Sequence, residues 1–107
     1  MNAKQSDKAL QFQELHQGPG VFLMPNPWDA GSVRILTGLG FEAFATSSSA
    51  CAAVLGRRDH RITRAEALAH VRAIASATDR PVSADLENGF GDDPATVAET
   101  LIEQNQR

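Results

Sequence analysis

Three times along this chain a short apolar run gives way to a cluster of small polar residues and then to a segment of helical periodicity. In the first unit Val21-Phe22-Leu23-Met24 reads as a strand buried on both faces, and Pro25-Asn26-Pro27 ends it. Asp29 can cap a helix carrying Val33, Leu36 and Leu39 on one side, and Gly40 closes it. The second unit runs from Ala43-Phe44-Ala45 through Thr46-Ser47-Ser48-Ser49 into the small-residue stretch Ala50 to Leu55, stopped by Gly56. After a loop with Asp59, the spacing of Thr63 and Glu66 predicts a capping box on a helix whose buried face is Leu68, Val71 and Ile74 and which ends near Thr78. In the third, Pro81-Val82-Ser83-Ala84 runs into Asp85-Leu86-Glu87-Asn88-Gly89, and Asp93 before Pro94 starts a helix with the stripe Val97, Leu101 and Ile102. A helix over about Ser6 to His16, with Ala9, Phe12 and Leu15 at helical spacing, prefaces the series before Gly18-Pro19-Gly20 turns the chain.

Strand-plus-helix units in series imply parallel strands, because each helix is the crossover that brings the chain back to the starting edge. The fold class is therefore α/β. In every unit the polar residues follow the strand, so Asn26 and Asp29, Ser47 to Ser49, and Asp85 with Glu87 are expected to converge at the carboxyl edge of one sheet. Active sites of parallel α/β folds sit there.

A chain of 107 residues provides one small domain or part of one. Apolar residues make up 42%, but 17 of them are alanine, which limits the core. The net charge of −3 and the confinement of clustered arginines to Arg57, Arg58, Arg61 and Arg64 argue against a nucleic-acid partner. No apolar run approaches the roughly 20 residues of a membrane span, and the N-terminus has no signal-peptide core, so a cytoplasmic protein without a membrane partner is expected. The single cysteine, Cys51, excludes an intrachain disulfide and reads as a small buried hydrophobe rather than a nucleophile.

Asp85 and Glu87 are two apart, so both carboxylates project to one side if strand geometry persists through them. Two hard oxygen donors there suit Mg²⁺, with Gly89 and Gly91 letting the backbone turn beside the ion; a solvated acidic turn has the same composition. The serine cluster offers hydroxyls and N–H groups to a carboxylate, or is simply a loop. His16, His60 and His70 are too dispersed for a local metal cluster and read as structural, and Trp28 either shields a pocket or packs in the core. Dinucleotide fingerprints, phosphate loops and serine-nucleophile elbows have no match.

Taken together, Asn26-Pro27-Trp28-Asp29-Ala30-Gly31-Ser32, Ala45-Thr46-Ser47-Ser48-Ser49, Leu55-Gly56-Arg57-Arg58-Asp59 and Pro81-Val82-Ser83-Ala84-Asp85-Leu86-Glu87-Asn88-Gly89-Phe90-Gly91 resemble the isocitrate lyase/phosphoenolpyruvate mutase superfamily, over roughly Phe12 to Ile102. The last segment is similar to that family's metal motif, acid-x-acid-x-Gly-x-Gly. The resemblance implies a (β/α)₈ TIM barrel, of which residues 1–107 would be the N-terminal portion with the first three strand-helix units. It also implies an Mg²⁺-dependent (or Mn²⁺-dependent) lyase or mutase that makes or breaks a C–C or P–C bond of a small 2-oxo or 2-hydroxy carboxylate through a metal-stabilised enolate. Carried over by position, Asp85 and Glu87 are metal-site carboxylates, Asp59 is a supporting catalytic acid, and Ser47, Ser48 and Ser49 bind the substrate carboxylate.

The chain departs from the pattern at three places. Glu87 stands where better-known branches have aspartate, which favours contact with the metal through water. Ser49-Ala50 replaces a small pair that often includes glycine. The chain also stops where the family enters its fourth strand, whereas a whole barrel takes about 250 residues. A fragment that is inactive by itself is therefore expected, poorly soluble, molten or self-associated through open sheet edges and unpaired apolar faces, with homo-oligomers the expected assembly. The rival readings are a catalytically inactive truncated product and a small binding module that oligomerises.

Overall fold

The computed structural model describes residues 4–104. Its elements in order are α1 (Gln5–Gln17), α2 (Ala30–Gly38), β1 (Phe44–Ala45), α3 (Ser48–Val54), α4 (Arg64–Ala75), β2 (Val82–Ser83) and α5 (Pro94–Gln104). The two strands pair in parallel, Phe44 opposite Val82 and Ala45 opposite Ser83. The α/β class thus follows as expected, with α3 and α4 forming the crossover.

Helix starts are set by local hydrogen bonds. Asp29 accepts from the Ser32 N–H at 2.8 Å, Ser47 from the Ala50 N–H at 3.1 Å, and Asp93 from the Thr96 N–H at 3.1 Å. Thr63 and Glu66 form the full capping box, each side chain accepting the other's N–H. Each such bond satisfies a backbone donor that the helix cannot satisfy itself.

The core has two parts. Under the strands, Val33, Phe44, Ile74 and Ala77 are buried, with Ala30, Leu36, Phe41 and Val82 packed on them. Under the loops, Cys51, Ala52, Ile62 and Ala67 form a second cluster that Phe90 partly covers. Leu68 and Val71 are buried with Ile74 along α4, as its periodicity predicts, although the helix ends at Ala75 rather than near Thr78.

Three expectations are corrected. Val21–Met24 is not a buried strand: Val21 is 96% and Leu23 72% exposed, and the segment reaches β1 only at its far end, where the Ala45 N–H donates to the Pro25 carbonyl at 3.1 Å. A strand is buried on both faces only when both neighbours and both covering layers are present, and this segment has one neighbour among the described residues. The expected three-stranded sheet is therefore a pair. Leu39 is exposed on α2, and on α5 the stripe of Leu101 and Ile102 faces outward while Thr100 is the buried residue.

Thr100 is buried because its hydroxyl donates to the Gly89 carbonyl at 2.6 Å, which docks α5 beneath the turn that follows β2. That docking explains the two glycines of the turn. A Cβ on Gly91 would lie 2.4 Å from Thr96 Cγ2, and one on Gly89, which sits at φ +85°, would lie 2.9 Å from Val97. Their role is close approach to a helix, and Gly91→Ala is expected to cost about 1–3 kcal/mol by overpacking, read as a lower urea midpoint with unchanged slope.

Val21, Leu23, Ile35, Leu39 and Ile102 are all more than half exposed, and apolar side chains left open in this way favour association where they form a continuous patch. The purified 107-residue chain is expected to sediment as a concentration-dependent oligomer. A single monomeric boundary at all concentrations would contradict this.

Candidate active site at the carboxyl edge of the strands

Backbone pairing stops at Ser83, and side chains take over from there. The Thr46 N–H donates to the Ser83 carbonyl at 2.8 Å, and the buried Thr46 hydroxyl accepts the Asp85 N–H at 2.8 Å. This places Asp85 over the start of α3. Its Oδ2 accepts the Ser48 N–H at 3.2 Å and its Oδ1 accepts the Glu87 N–H at 3.0 Å. The Glu87 N–H is the main cause that holds the Asp85 carboxyl below the usual carboxylate range, with further help from Ser48 and the nearby His60 and against the effect of partial burial. Asp85 is an anchored anion at the strand end.

Because β2 ends two residues earlier, Asp85 and Glu87 do not share a face by strand alternation. Glu87 lies at φ 54°, in the left-handed region, and its side chain turns to His60, with Oε1 3.4 Å from Nδ1. His60 is itself left-handed at φ 68°. Asp59 accepts the His60 N–H at 2.9 Å, and its other oxygen lies 3.7 Å from His60 Nε2. Asp59 is thus linked to the Asp85 loop through His60. Among the described residues, no three His, Cys, Asp or Glu side chains converge as a metal-binding group.

The serines divide their roles. Ser47 is the cap of α3, so Ser48 and Ser49 lie in its first turn rather than in a loop. Ser48 is buried and gives its N–H to Asp85, while Ser49 is exposed. Asn26 does reach the edge, its amide donating to the Ala45 carbonyl at 2.8 Å. Asp29 is engaged as a helix cap: Ser32, through its hydroxyl and its N–H, holds the Asp29 carboxyl low.

Trp28 is half exposed rather than buried in the core, and its carbonyl lies 2.8 Å from His70 Nε2. Burial raises the Cys51 pKa, consistent with a packed thiol rather than a nucleophile. His60 is the residue that sequence reasoning missed. Its partner is 27 positions away, and only the pairing of β1 with β2 brings the two loops together. Its position directly after Asp59 was the available signal.

Residues 12–105 match the family model described as phosphoenolpyruvate phosphomutase. A crystal structure of a candidate lyase/mutase from Burkholderia cenocepacia J2315 is similar at TM-score 0.89 and 50% identity, over 94% of this chain and 36% of that one. An uncharacterized protein of Mycobacterium tuberculosis is 34% identical over 95 residues, covering 88% of this chain and 36% of that protein. The 2,3-dimethylmalate lyase of Eubacterium barkeri is 33% identical over 85 residues, 78% of this chain and 29% of the enzyme. The chain therefore spans about a third of the length of the relatives it matches. With the α/β fold, the anchored Asp85 and a match over most of its length, the chain belongs to the phosphoenolpyruvate phosphomutase family.

Proposed function

We propose that this chain carries the cation- and carboxylate-binding portion of an Mg²⁺-dependent lyase or mutase that acts on a C–C or P–C bond of a small 2-oxo or 2-hydroxy carboxylate. The observation that carries the reading is Asp85, an ionised carboxylate fixed at the carboxyl edge of a parallel strand pair in a member of this family. Mg²⁺ needs no dense protein cluster: it is commonly held by one or two carboxylates, keeping several waters and leaving positions for substrate oxygens. Asp85 fits that donor set, and Mn²⁺ accepts the same oxygens. When bound, the ion would supply Lewis-acid stabilisation of charge on an enolate oxygen.

In this reading Asp85 is the direct carboxylate, Glu87 contacts the ion through water, and Asp59 is a supporting acid behind His60. Ser47, Ser48 and Ser49 take the substrate carboxylate. Ser49 is open to solvent, while the Ser48 N–H is already given to Asp85. The first three strand-helix units of a (β/α)₈ barrel are the architecture this implies, in a cytoplasmic enzyme that works as a homo-oligomer. No helix among the described residues is long and apolar enough to cross a membrane.

Electrostatic catalysis requires donors and charges fixed in a closed site, so the 107-residue chain alone is expected to bind Mn²⁺ weakly and to turn over none of oxaloacetate, 2-methylisocitrate or phosphonopyruvate. Asp85→Ala should remove the Mn²⁺ binding more completely than Glu87→Ala. Turnover by the purified chain that disappears in Asp85→Ala would show that these residues suffice for catalysis.

Asp85 also makes a signed prediction for stability. Its carboxyl is lowered on folding, so its contribution is fully present above the unfolded value of about 3.9 and is lost as pH falls through the lower folded value. Asp85→Asn should therefore be destabilised at neutral pH and show a shallower acid limb below about pH 4 in urea unfolding. The limb does not vanish, because Asp29, Glu66 and Asp93 are also lowered. Parallel acid limbs for the two proteins would contradict the assignment.

A further inference from the structure

Two non-glycine residues in left-handed backbone face each other across the candidate site, His60 at φ 68° and Glu87 at φ 54°. Such conformations are uncommon for side chains of this size and persist where surrounding contacts hold them. Their exposures are unequal: the His60 side chain keeps 74% of its accessible surface, whereas the Glu87 side chain keeps 16% even though Glu87 as a whole residue is exposed. The Glu87 backbone thus faces solvent while its carboxylate is tucked in against the loop that carries Asp59 and His60. One edge of the ring faces Glu87 Oε1 at 3.4 Å and the other faces Asp59 Oδ2 at 3.7 Å.

We propose that His60 is the positioning residue for Glu87: the ring, steadied by Asp59, holds the Glu87 carboxylate away from Asp85, so that Asp85 alone is presented directly to a divalent cation. Asp85 and Glu87 then differ in kind. Asp85 is fixed by N–H groups of its own neighbourhood, while Glu87 is fixed across 27 residues by the opposing loop. The extra methylene of Glu87 gives the reach to His60. The distinction between inner and outer carboxylate rests on the metal reading above; the pairing of His60 with Glu87 does not.

The test has two arms on the 107-residue chain. The first is metal-free amide exchange, followed by NMR at Glu87 and Gly89, whose N–H groups donate to Asp85 and to the Leu86 carbonyl. Asn and Asp are alike in shape and both tolerate left-handed backbone, so His60→Asn and His60→Asp differ in whether a donor or a negative charge faces Glu87. A purely backbone role for His60 would treat them alike. The expected result is a several-fold rise in exchange at Glu87 and Gly89 in His60→Asp, with His60→Asn within about twofold of the parent. Equal effects of the two, or a parent in which these amides exchange at the unprotected rate, would overturn the proposal.

The second arm is Mn²⁺ binding, read from the loss of the free-ion EPR signal. Asp85→Asn should weaken it tenfold or more, and Glu87→Gln by threefold or less. Glu87→Gln matching Asp85→Asn would make Glu87 an inner ligand and overturn the proposal. A parent chain that takes up no Mn²⁺ would remove the metal reading instead, and the exchange arm then decides the role of His60 by itself.

Discussion

The hydrogen-bond line from Phe44 to Asp85 is the constraint on which the candidate site depends. The Phe44 N–H donates to the Pro81 carbonyl, the Thr46 N–H to the Ser83 carbonyl, and the Thr46 hydroxyl then accepts the Asp85 N–H. Only two residues on each strand pair formally, so the threonine hydroxyl extends the ladder by one further bond where the backbones diverge. Asp85 is therefore placed by strand register. A slip of one residue would turn Phe44 out of the core and displace Asp85 from Ser48 together, because alternation couples the two faces.

That coupling separates what was legible in the sequence from what was not. The caps at Asp29, Thr63 with Glu66, and Asp93 are contacts over three residues, and local spacing reveals them. Asp29 reads both as that cap and as an edge residue. A carboxylate near a strand end can serve the helix that follows or the site above it, and only the Ser32 contact distinguishes the two. Asp85 is expected at the strand edge from its acid-x-acid-x-Gly-x-Gly surroundings, yet its partners Thr46 and Ser48 are 39 and 37 positions away. The pairing of Glu87 with His60 was out of reach, since it spans 27 positions and joins two loops through left-handed backbone at both residues.

Apolar periodicity misled at Val21–Met24 and on α5 for one physical reason. A pattern states which side of an element would be buried; it does not supply the element that buries it. Val33, Leu68, Val71 and Ile74 find their partners among the described residues and are buried as the pattern predicts. Val21, Leu23 and Ile102 carry equally apolar side chains and remain open. On α5 the docking contact is polar, Thr100 to the Gly89 carbonyl, and a hydrophobic pattern is blind to it.

Magnitudes decide what holds the site loop. Phe90 leans on the cluster of Cys51, Ala52, Ile62 and Ala67. Full burial of such a ring contributes about 1.5–3 kcal/mol, against about 0–1 kcal/mol for an exposed ion pair, so the partly covered ring contributes at least as much. Arg64, which reaches Glu99 and Glu103 at 3.5 and 3.1 Å, belongs to the weaker class. Apolar packing and the glycine contacts with α5 therefore set the depth of the loop. The polar contacts of Asp85, Glu87 and His60 set the direction of its carboxylates, because a hydrogen bond fixes an angle where apolar contact fixes only a distance.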